Sequence, residues 1–353
     1  MDFADVNIAQ IQFPVEESLS EHPEGIPLVK PDIVASYPGE EGRWDTKDPM
    51  AVVSLSFVVR SEYGPDPLLS PLPEGVRARM RILRLAGRHL IANSTLCSFI
   101  VSIAGPLMQV YRFDHAACIV SPTFDYTAEP YLLRRFLWAF VHPTNGAPYV
   151  GMDQYCTRAT IRDMKWAQRV VHESWSLEDL CYNRWVRLPS TKPGEPDLEL
   201  LTLRRRAAYD CVWSRGTCVW EAIRRGDESG KRYILKETWR QVDEIDERVF
   251  YERIMQYDTN LRHPLFGIAG FVRSIDCGAI AEHGTPTLHR TSSASLRPVK
   301  HAKRGERTHV RLVVDTVGEE LENFRSSKEF VAGLRDAVRG EQIAWGVATH
   351  ETK

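Results

Sequence analysis

Three consecutive runs in the middle of the chain alternate between apolar and polar residues with a period of two, and glycine turns separate them. The first is Tyr209-Asp210-Cys211-Val212-Trp213, closed by Ser214-Arg215-Gly216-Thr217. The second, Cys218-Val219-Trp220-Glu221-Ala222-Ile223, is closed by Gly226-Asp227-Glu228-Ser229-Gly230, and the third is Arg232-Tyr233-Ile234-Leu235-Lys236. This pattern predicts an antiparallel meander. In the third run, the period puts Ile234 and Lys236 on one face and Tyr233 and Leu235 on the other. From Trp239 the spacing becomes helical, with Val242, Ile245 and Val249 at i, i+3 and i+7. Extending that stripe reaches Glu252 and leaves Glu247 off it.

Before the meander, residues 50–59 read as a strand. A helix over 76–92 follows, with Val76, Met80, Leu83, Gly87 and Leu90 on one face and Arg77, Arg79, Arg81, Arg84 and Arg88 mostly elsewhere. That basic face is read as solvated, with a nucleic-acid or lipid-surface patch as the alternative. Runs at 95–103, 107–113 and 117–121 form a β-meander on the helix. Glu129-Pro130 opens a second helix, with proline at a favoured first position and Leu133, Phe136, Leu137 and Phe140 inward. Residues 1–48, rich in Pro, Gly and Glu, read as a loosely ordered lead-in. The proline-bounded loop at 189–196 marks a linker over 189–206, between an amino-terminal α/β domain at 49–188 and a second domain at 207–345.

Beyond the central helix, residues 265–274 suit another strand. Residues 281–306 are polar and basic and read as a flexible insertion, a solvated loop with a phosphoacceptor or acidic-partner site as the alternative. Thr308 to Val314 is the next strand. Ser326-Ser327-Lys328-Glu329 is a capping box that starts a helix with Val331, Leu334 and Val338 on its inner face.

A chain of 353 residues that is 43% hydrophobic has room for two packed domains. The formal charge of −2 supplies no overall basic field, so no specific nucleic acid and no membrane is expected as a partner. Seven cysteines with no C-x-x-C spacing argue against a zinc site and a disulfide framework, and suit a reducing compartment. The acidic start, Met1-Asp2-Phe3-Ala4-Asp5, is unlike a signal peptide, and no apolar run approaches ~18 residues. The expected location is intracellular, in the cytoplasm or nucleus.

Four phrases, in this order along the chain, resemble the fungal-type protein kinases. The first is Phe113-Asp114-His115 with Ser121-Pro122-Thr123-Phe124-Asp125-Tyr126 and the 132–140 helix; the second is Arg215-Gly216-Thr217-Cys218-Val219-Trp220. The third is Tyr233-Ile234-Leu235-Lys236-Glu237-Thr238-Trp239, and the fourth runs from Arg307 to Gly340. The resemblance, over roughly 75–345, implies an α+β protein. Its parts would be an amino-terminal helix/β-meander module, a protein-kinase-like N-lobe of five antiparallel strands with one helix, and the first helices of a C-lobe. It also implies ATP as cofactor, bound weakly. Lys236 is either a ligand of the α- and β-phosphates or a solvated strand lysine; Glu252 is its expected partner, with Glu247 as the substitute. Gly216 takes the glycine-loop position, Val219, Ile234 and Val314 surround the adenine, and Asp315 to Val317 form the hinge that bonds the adenine edge.

The chain departs from the family pattern at the catalytic machinery. A phosphotransferase of this class needs an aspartate base with a downstream asparagine and an Asp-Phe-Gly metal ligand after the 326–340 helix. Residues 341–353 contain neither aspartate nor asparagine. The expectation is therefore a truncated catalytic lobe, no Mg²⁺ ligand, and an apolar stripe on the last helix left uncovered. Two function classes remain open: an ATP-dependent Ser/Thr-type kinase by descent, inactive as this chain and acting on a protein substrate, or a non-catalytic, pseudokinase-like module that binds a protein partner.

Overall fold

The computed structural model describes residues 9–10, 31–36, 50, 53–60, 67, 72–143, 150–175, 183–190, 194–209, 211–261, 270–280, 286–291, 306–319 and 323–349. Two seven-stranded sheets dominate it. The first is built from β1 (Ala9–Gln10), β2 (Ile33–Ser36), β3 (Val53–Arg60), β4 (Ser98–Ala104), β5 (Leu107–Phe113), β6 (Cys118–Val120) and β7 (Phe124–Asp125), with the helices α1 (Pro73–Ala92) and α2 (Pro130–Val141). The strand order is β1-β6-β5-β4-β3-β2, with β7 beside β5. The lead-in expected over 1–48 thus contributes two strands. β1 pairs with β6, and the short apolar run at 33–36 pairs with β3. The β4-β5-β6 meander is as expected.

The strand at 53–60 pairs with β4 in parallel, and α1 makes the crossover between them. A parallel pair needs such a crossover, which the periodicity alone did not specify. Helix α1 covers one face with Ile82, Leu85, Ala86 and Leu90 against Val53, Ile100, Tyr111 and Phe113. Helix α2 covers the other, where Phe140, Phe136 and Leu133 pack on Leu55, Val101 and Met108. Leu137, expected inward, is 36% exposed beside Trp138 at 61%.

The second sheet is wholly antiparallel and larger than the expected five strands. It comprises β8 (Cys156–Arg158), β9 (Arg184–Leu188), β10 (Leu198–Ala208), β11 (Cys218–Arg224), β12 (Arg232–Gln241), β13 (Phe271–Asp276) and β16 (Arg307–Val314), in the order β13-β16-β12-β11-β10-β9-β8. A small hairpin, β14 (Gly278–Ile280) with β15 (Pro286–Leu288), follows β13. The stretch at 189–206 is therefore not a linker between the units, because it holds the β9–β10 turn and most of β10. Its Leu198, Leu200 and Leu201 are buried. Two of its arginines hold ion pairs: Arg206 meets the buried Glu221 at 2.6 Å and Arg204 meets Glu173 at 3.5 Å.

The first strand of the central meander also lies upstream of its expected place. Residues 211–214 are a turn that carries Val212 and Trp213 into the core of the first sheet. Trp239 lies within β12, which continues to Gln241, instead of opening a helix. Within the expected insertion at 281–306, residues 286–291 are anchored by β15 and by a bridge from Arg290 to Thr308; Ser292, Ser293, Ser295, Arg297, Lys300, Lys303 and Arg304 lie outside the described residues.

Three further helices complete the fold: α3 (Ile161–Val171), α4 (Glu247–Leu261) and α5 (Ser327–Thr349). Helix α3 has a full capping box between Thr160 and Asp163 and packs Met164, Ala167 and Val170 on Trp185, Leu201 and Ile223. At α5 the Glu329 N–H donates to Ser326 Oγ, while the Glu329 carboxylate accepts from the Arg325 N–H. Val331, Leu334 and Val338 on this helix are 61%, 41% and 53% exposed, the uncovered stripe expected of it. No helix among the described residues is long and apolar enough to cross a membrane.

Gly216 packs closely against the amino-terminal unit. It has φ +50°, and a Cβ there would lie 2.2 Å from Cε1 of His115. Both left-handed backbone and contact demand glycine. Gly216→Ala should therefore lower stability by roughly 1–3 kcal/mol from backbone strain, with the clash adding to that. Urea unfolding monitored by tryptophan fluorescence measures the loss.

Candidate functional site

The two faces of β12 have different chemistry, and both follow from the period of two. Arg232, Ile234, Lys236 and Thr238 alternate with the buried Tyr233, Leu235, Glu237 and Trp239. Register carries this alternation across the sheet. Val219 lies opposite Lys236, Val314 opposite Ile234 and Leu312 opposite Lys236 on one face. On the other, Arg311 lies opposite Glu237 and His309 opposite Trp239.

The first face gathers the residues expected to hold a nucleotide. Val219 and Ile234 are half-buried, Val314 is buried, and Lys236 Nζ lies 2.6 Å from a helix carboxylate. That carboxylate belongs to Glu247. Glu252 is 53% exposed and pairs with Arg248 at 3.9 Å, so the expected Lys236–Glu252 pair is corrected to Lys236–Glu247. The helical phase had been counted from Trp239. The helix begins eight residues later, after a turn in which Ile245 is 67% exposed. Asp246 caps it, with Oδ1 accepting the Arg248 N–H at 2.8 Å.

The segment expected as the hinge leaves β16 directly. The Asp315 N–H donates to the Gly270 carbonyl at 2.9 Å, and the Gly270 N–H donates to Thr316 Oγ1 at 3.0 Å. The Asp315 carboxylate accepts from Lys231 Nζ at 2.9 Å and raises the pKa of that lysine. Val317 is half-buried. Gly216 does not stand over this face in open space, because it is buried against His115. A separate groove of about 540 Å³ beside α3 is lined by Arg162, Lys165, Trp166, Trp185 and Arg225, and by none of the residues expected at the nucleotide.

The opposite face of the sheet meets the amino-terminal unit at a buried polar cluster. Arg311, with no exposed surface, donates from Nε to Glu237 Oε1 at 2.9 Å and from one terminal nitrogen to Asp153 Oδ2 at 2.7 Å. Ser94, at the end of α1, and Trp220 Nε1 donate to the second Glu237 oxygen at 2.9 and 3.1 Å. The Tyr155 N–H donates to Asp153 Oδ1 at 2.9 Å. Burial, the largest influence, would raise both carboxyls, but Arg311 together with the neighbouring cationic and hydrogen-bonding groups outweighs it and holds Asp153 and Glu237 down at about 2.

Beside this cluster runs a column of rings. His115 stacks on Trp239 at 5.0 Å, Trp239 on His309 at 4.9 Å, and His309 on His289 at 6.2 Å. Burial, reinforced by Arg311, lowers His309 to about 3; burial lowers His115 to about 4, and also lowers His289. Asp153, His289 and His309 bring their ligand atoms within 4.8 Å of one another. None of these three was singled out from the sequence as a site residue. They lie on three segments with no short spacing between them. The available signal was His309 and Arg311 at i and i+2 in an otherwise apolar strand.

Two large sheets and five helices among the described residues make a mixed α+β structure consistent with a kinase-like fold. Residues 74–344 match the sequence model of the fungal protein kinase family, and the chain belongs to that family. No curated protein and no solved structure matches it.

Arg311→Met should destabilise the fold by about 3–5 kcal/mol, because it leaves two buried carboxylates without their cation. The pH profile has its own signature. His89 and His309 at about 3 and His115 at about 4 stay neutral in the folded chain, whereas in the unfolded chain they titrate near 6.5. The unfolded state thus binds more protons below that value, so stability falls as pH drops from about 7 to 5, before the carboxylates titrate. Urea midpoints across this range test the sign.

Proposed function

We propose that this chain provides the nucleotide-binding lobe of a fungal-type kinase, taking ATP on the face of β12 that carries Lys236. The 2.6 Å contact between Lys236 and Glu247 carries this reading. A lysine ammonium held by a helix carboxylate is oriented to contact the α- and β-phosphates. Val219, Ile234 and Val314 supply apolar contact for the base, and the backbone at Asp315 to Val317 its polar edge. Glu247 takes the role assigned to Glu252 on sequence. Gly216 belongs to the same turn but acts from behind, by fixing the turn on His115.

The reading extends to a Ser/Thr-type kinase lineage with a protein as substrate or partner. Residues 341–353 contain neither aspartate nor asparagine, so the reading assigns no Mg²⁺ ligand and no general base among them. The thiols of the cysteines at 97, 156, 211, 218 and 277 are free, in keeping with a reducing, intracellular setting in cytoplasm or nucleus. A second reading, a non-catalytic protein-interaction module, is favoured by the exposed Val331, Leu334 and Val338 stripe on α5.

Titration of the purified chain with a fluorescent ATP analogue distinguishes the two. Binding displaced by ATP, weakened roughly tenfold or more in Lys236→Met and Glu247→Gln and unchanged in Glu252→Gln, is the expected result, corresponding to about 1.4 kcal/mol or more. Binding indifferent to all three variants would remove the nucleotide assignment and leave the interaction module. Phosphate release and protein phosphorylation with Mg²⁺ and ATP should stay at background, because a missing general base costs ~10² to 10⁴ in rate. Activity well above background that Lys236→Met abolishes would refute the inactive assignment.

A further inference from the structure

Asp153, His289 and His309 lie on the face of the second sheet opposite Lys236, away from the proposed nucleotide contacts. Asp153 precedes β8, His289 follows β15 and His309 lies within β16. Asp153 and His309 are 1% and 3% exposed and His289 is half-buried. The Nδ1 atoms of both histidines are buried without a hydrogen-bond partner. His309 Nδ1 lies 3.9 Å from Asp153 Oδ2, beyond hydrogen-bond reach, and all three ligand atoms fall within 4.8 Å of one another. Buried ring nitrogens normally find a partner, and here a ring nitrogen of each histidine comes within 4.8 Å of the other and of an Asp153 oxygen.

We propose that Asp153, His289 and His309 form a site for a divalent transition metal of the zinc class, which ties the segment before β8 to β16 and to the residue after β15. Two neutral imidazoles and one carboxylate are a donor set that zinc accepts, with bonds of about 2.0–2.2 Å. Such bonds place tetrahedral ligand atoms about 3.3 Å apart, so the three groups need to draw together by about 1 Å or more. The backbone already braces both histidines. The His309 N–H donates to the His289 carbonyl at 3.0 Å, the His289 N–H to the Cys277 carbonyl at 2.6 Å, and the Cys277 N–H to the His309 carbonyl at 2.7 Å.

Arg311 does not close the site. Its Nε is committed to Glu237, and the contact of its terminal nitrogen with Asp153 Oδ2 leaves that oxygen a second lone pair. An outer-shell cation–carboxylate contact of this kind fixes the carboxylate for the metal. The thiol of Cys156 lies 3.0 Å from the same arginine nitrogen.

The test uses the full chain, refolded from denaturant once with Zn²⁺ and once with a chelator, then dialysed and analysed for metal. One equivalent of zinc, a thermal midpoint several degrees above that of the chelated protein, and a visible d–d band when Co²⁺ replaces Zn²⁺ are expected. His289→Ala, at the half-buried ligand, should lose the metal and the metal-dependent shift while keeping the midpoint of the chelated protein. His142→Ala, at an exposed histidine, should retain both. If His309→Asn fails to fold, His289→Ala and the wild-type metal content still decide. Less than a tenth of an equivalent bound by the wild type, or full binding retained in His289→Ala, overturns the proposal.

Discussion

The fold depends on a single charge that has no access to water. Arg311 sits between two carboxylates contributed by different parts of the chain, Asp153 before β8 and Glu237 on β12. Any one of the three left alone in this interior would carry a desolvation penalty of several kcal/mol. The segments bearing them therefore have to arrive together. Ser94 adds the end of α1 to the same network through Glu237, so the amino-terminal unit is held to the sheet by polar contacts that tolerate little displacement. Apolar contacts reinforce the attachment without matching its directionality: Ile91 of α1 joins the core of the second sheet, and Val212 joins that of the first.

This arrangement divides the second sheet between two tasks. The face that carries Glu237, Trp239, His309 and Arg311 is committed to the seam with the amino-terminal unit. The face that carries Val219, Ile234 and Lys236 is left for α3, α4 and the nucleotide proposed above. Because side chains alternate strictly along a strand, neither face can be altered by a shift of one residue without exchanging the two. A slip that buried Lys236 would expose Glu237, and the cost of both errors fixes the register.

What could be read in the sequence follows from how local each signal was. The alternation that sets the face of Lys236 spans only a few residues, and it survives in the structure. So do the β4-β5-β6 meander, helices α1 and α2, and the strand at 308–314. The partner of Lys236 was misassigned because an apolar spacing from Trp239 was counted as helix, although Asp246, a favoured capping residue, marked the true start. Residues 189–206 read as a linker because of the proline-bounded loop at 189–196, whereas the strand that follows it is held by partners such as Glu173 and Glu221 that lie far away in the chain or on a neighbouring strand. The Asp153, His289 and His309 cluster had no local signature at all, since only tertiary pairing brings its members together.

The contact of Gly216 with His115 has a mechanical consequence. The carbonyl of Arg215, next to that glycine, accepts the Trp239 N–H at 2.7 Å, and the ring of Trp239 stacks on His115. The turn is thus clamped between a strand of its own sheet and a ring of the neighbouring unit. In many nucleotide sites such a turn is a loose flap that closes over phosphates by itself. Here it can move only if the ring of His115 slides on Trp239 or the whole amino-terminal unit moves with it. The stiffness of the flap is therefore set at the seam, and a molecule that grips the amino-terminal unit would change how readily the opposite face opens.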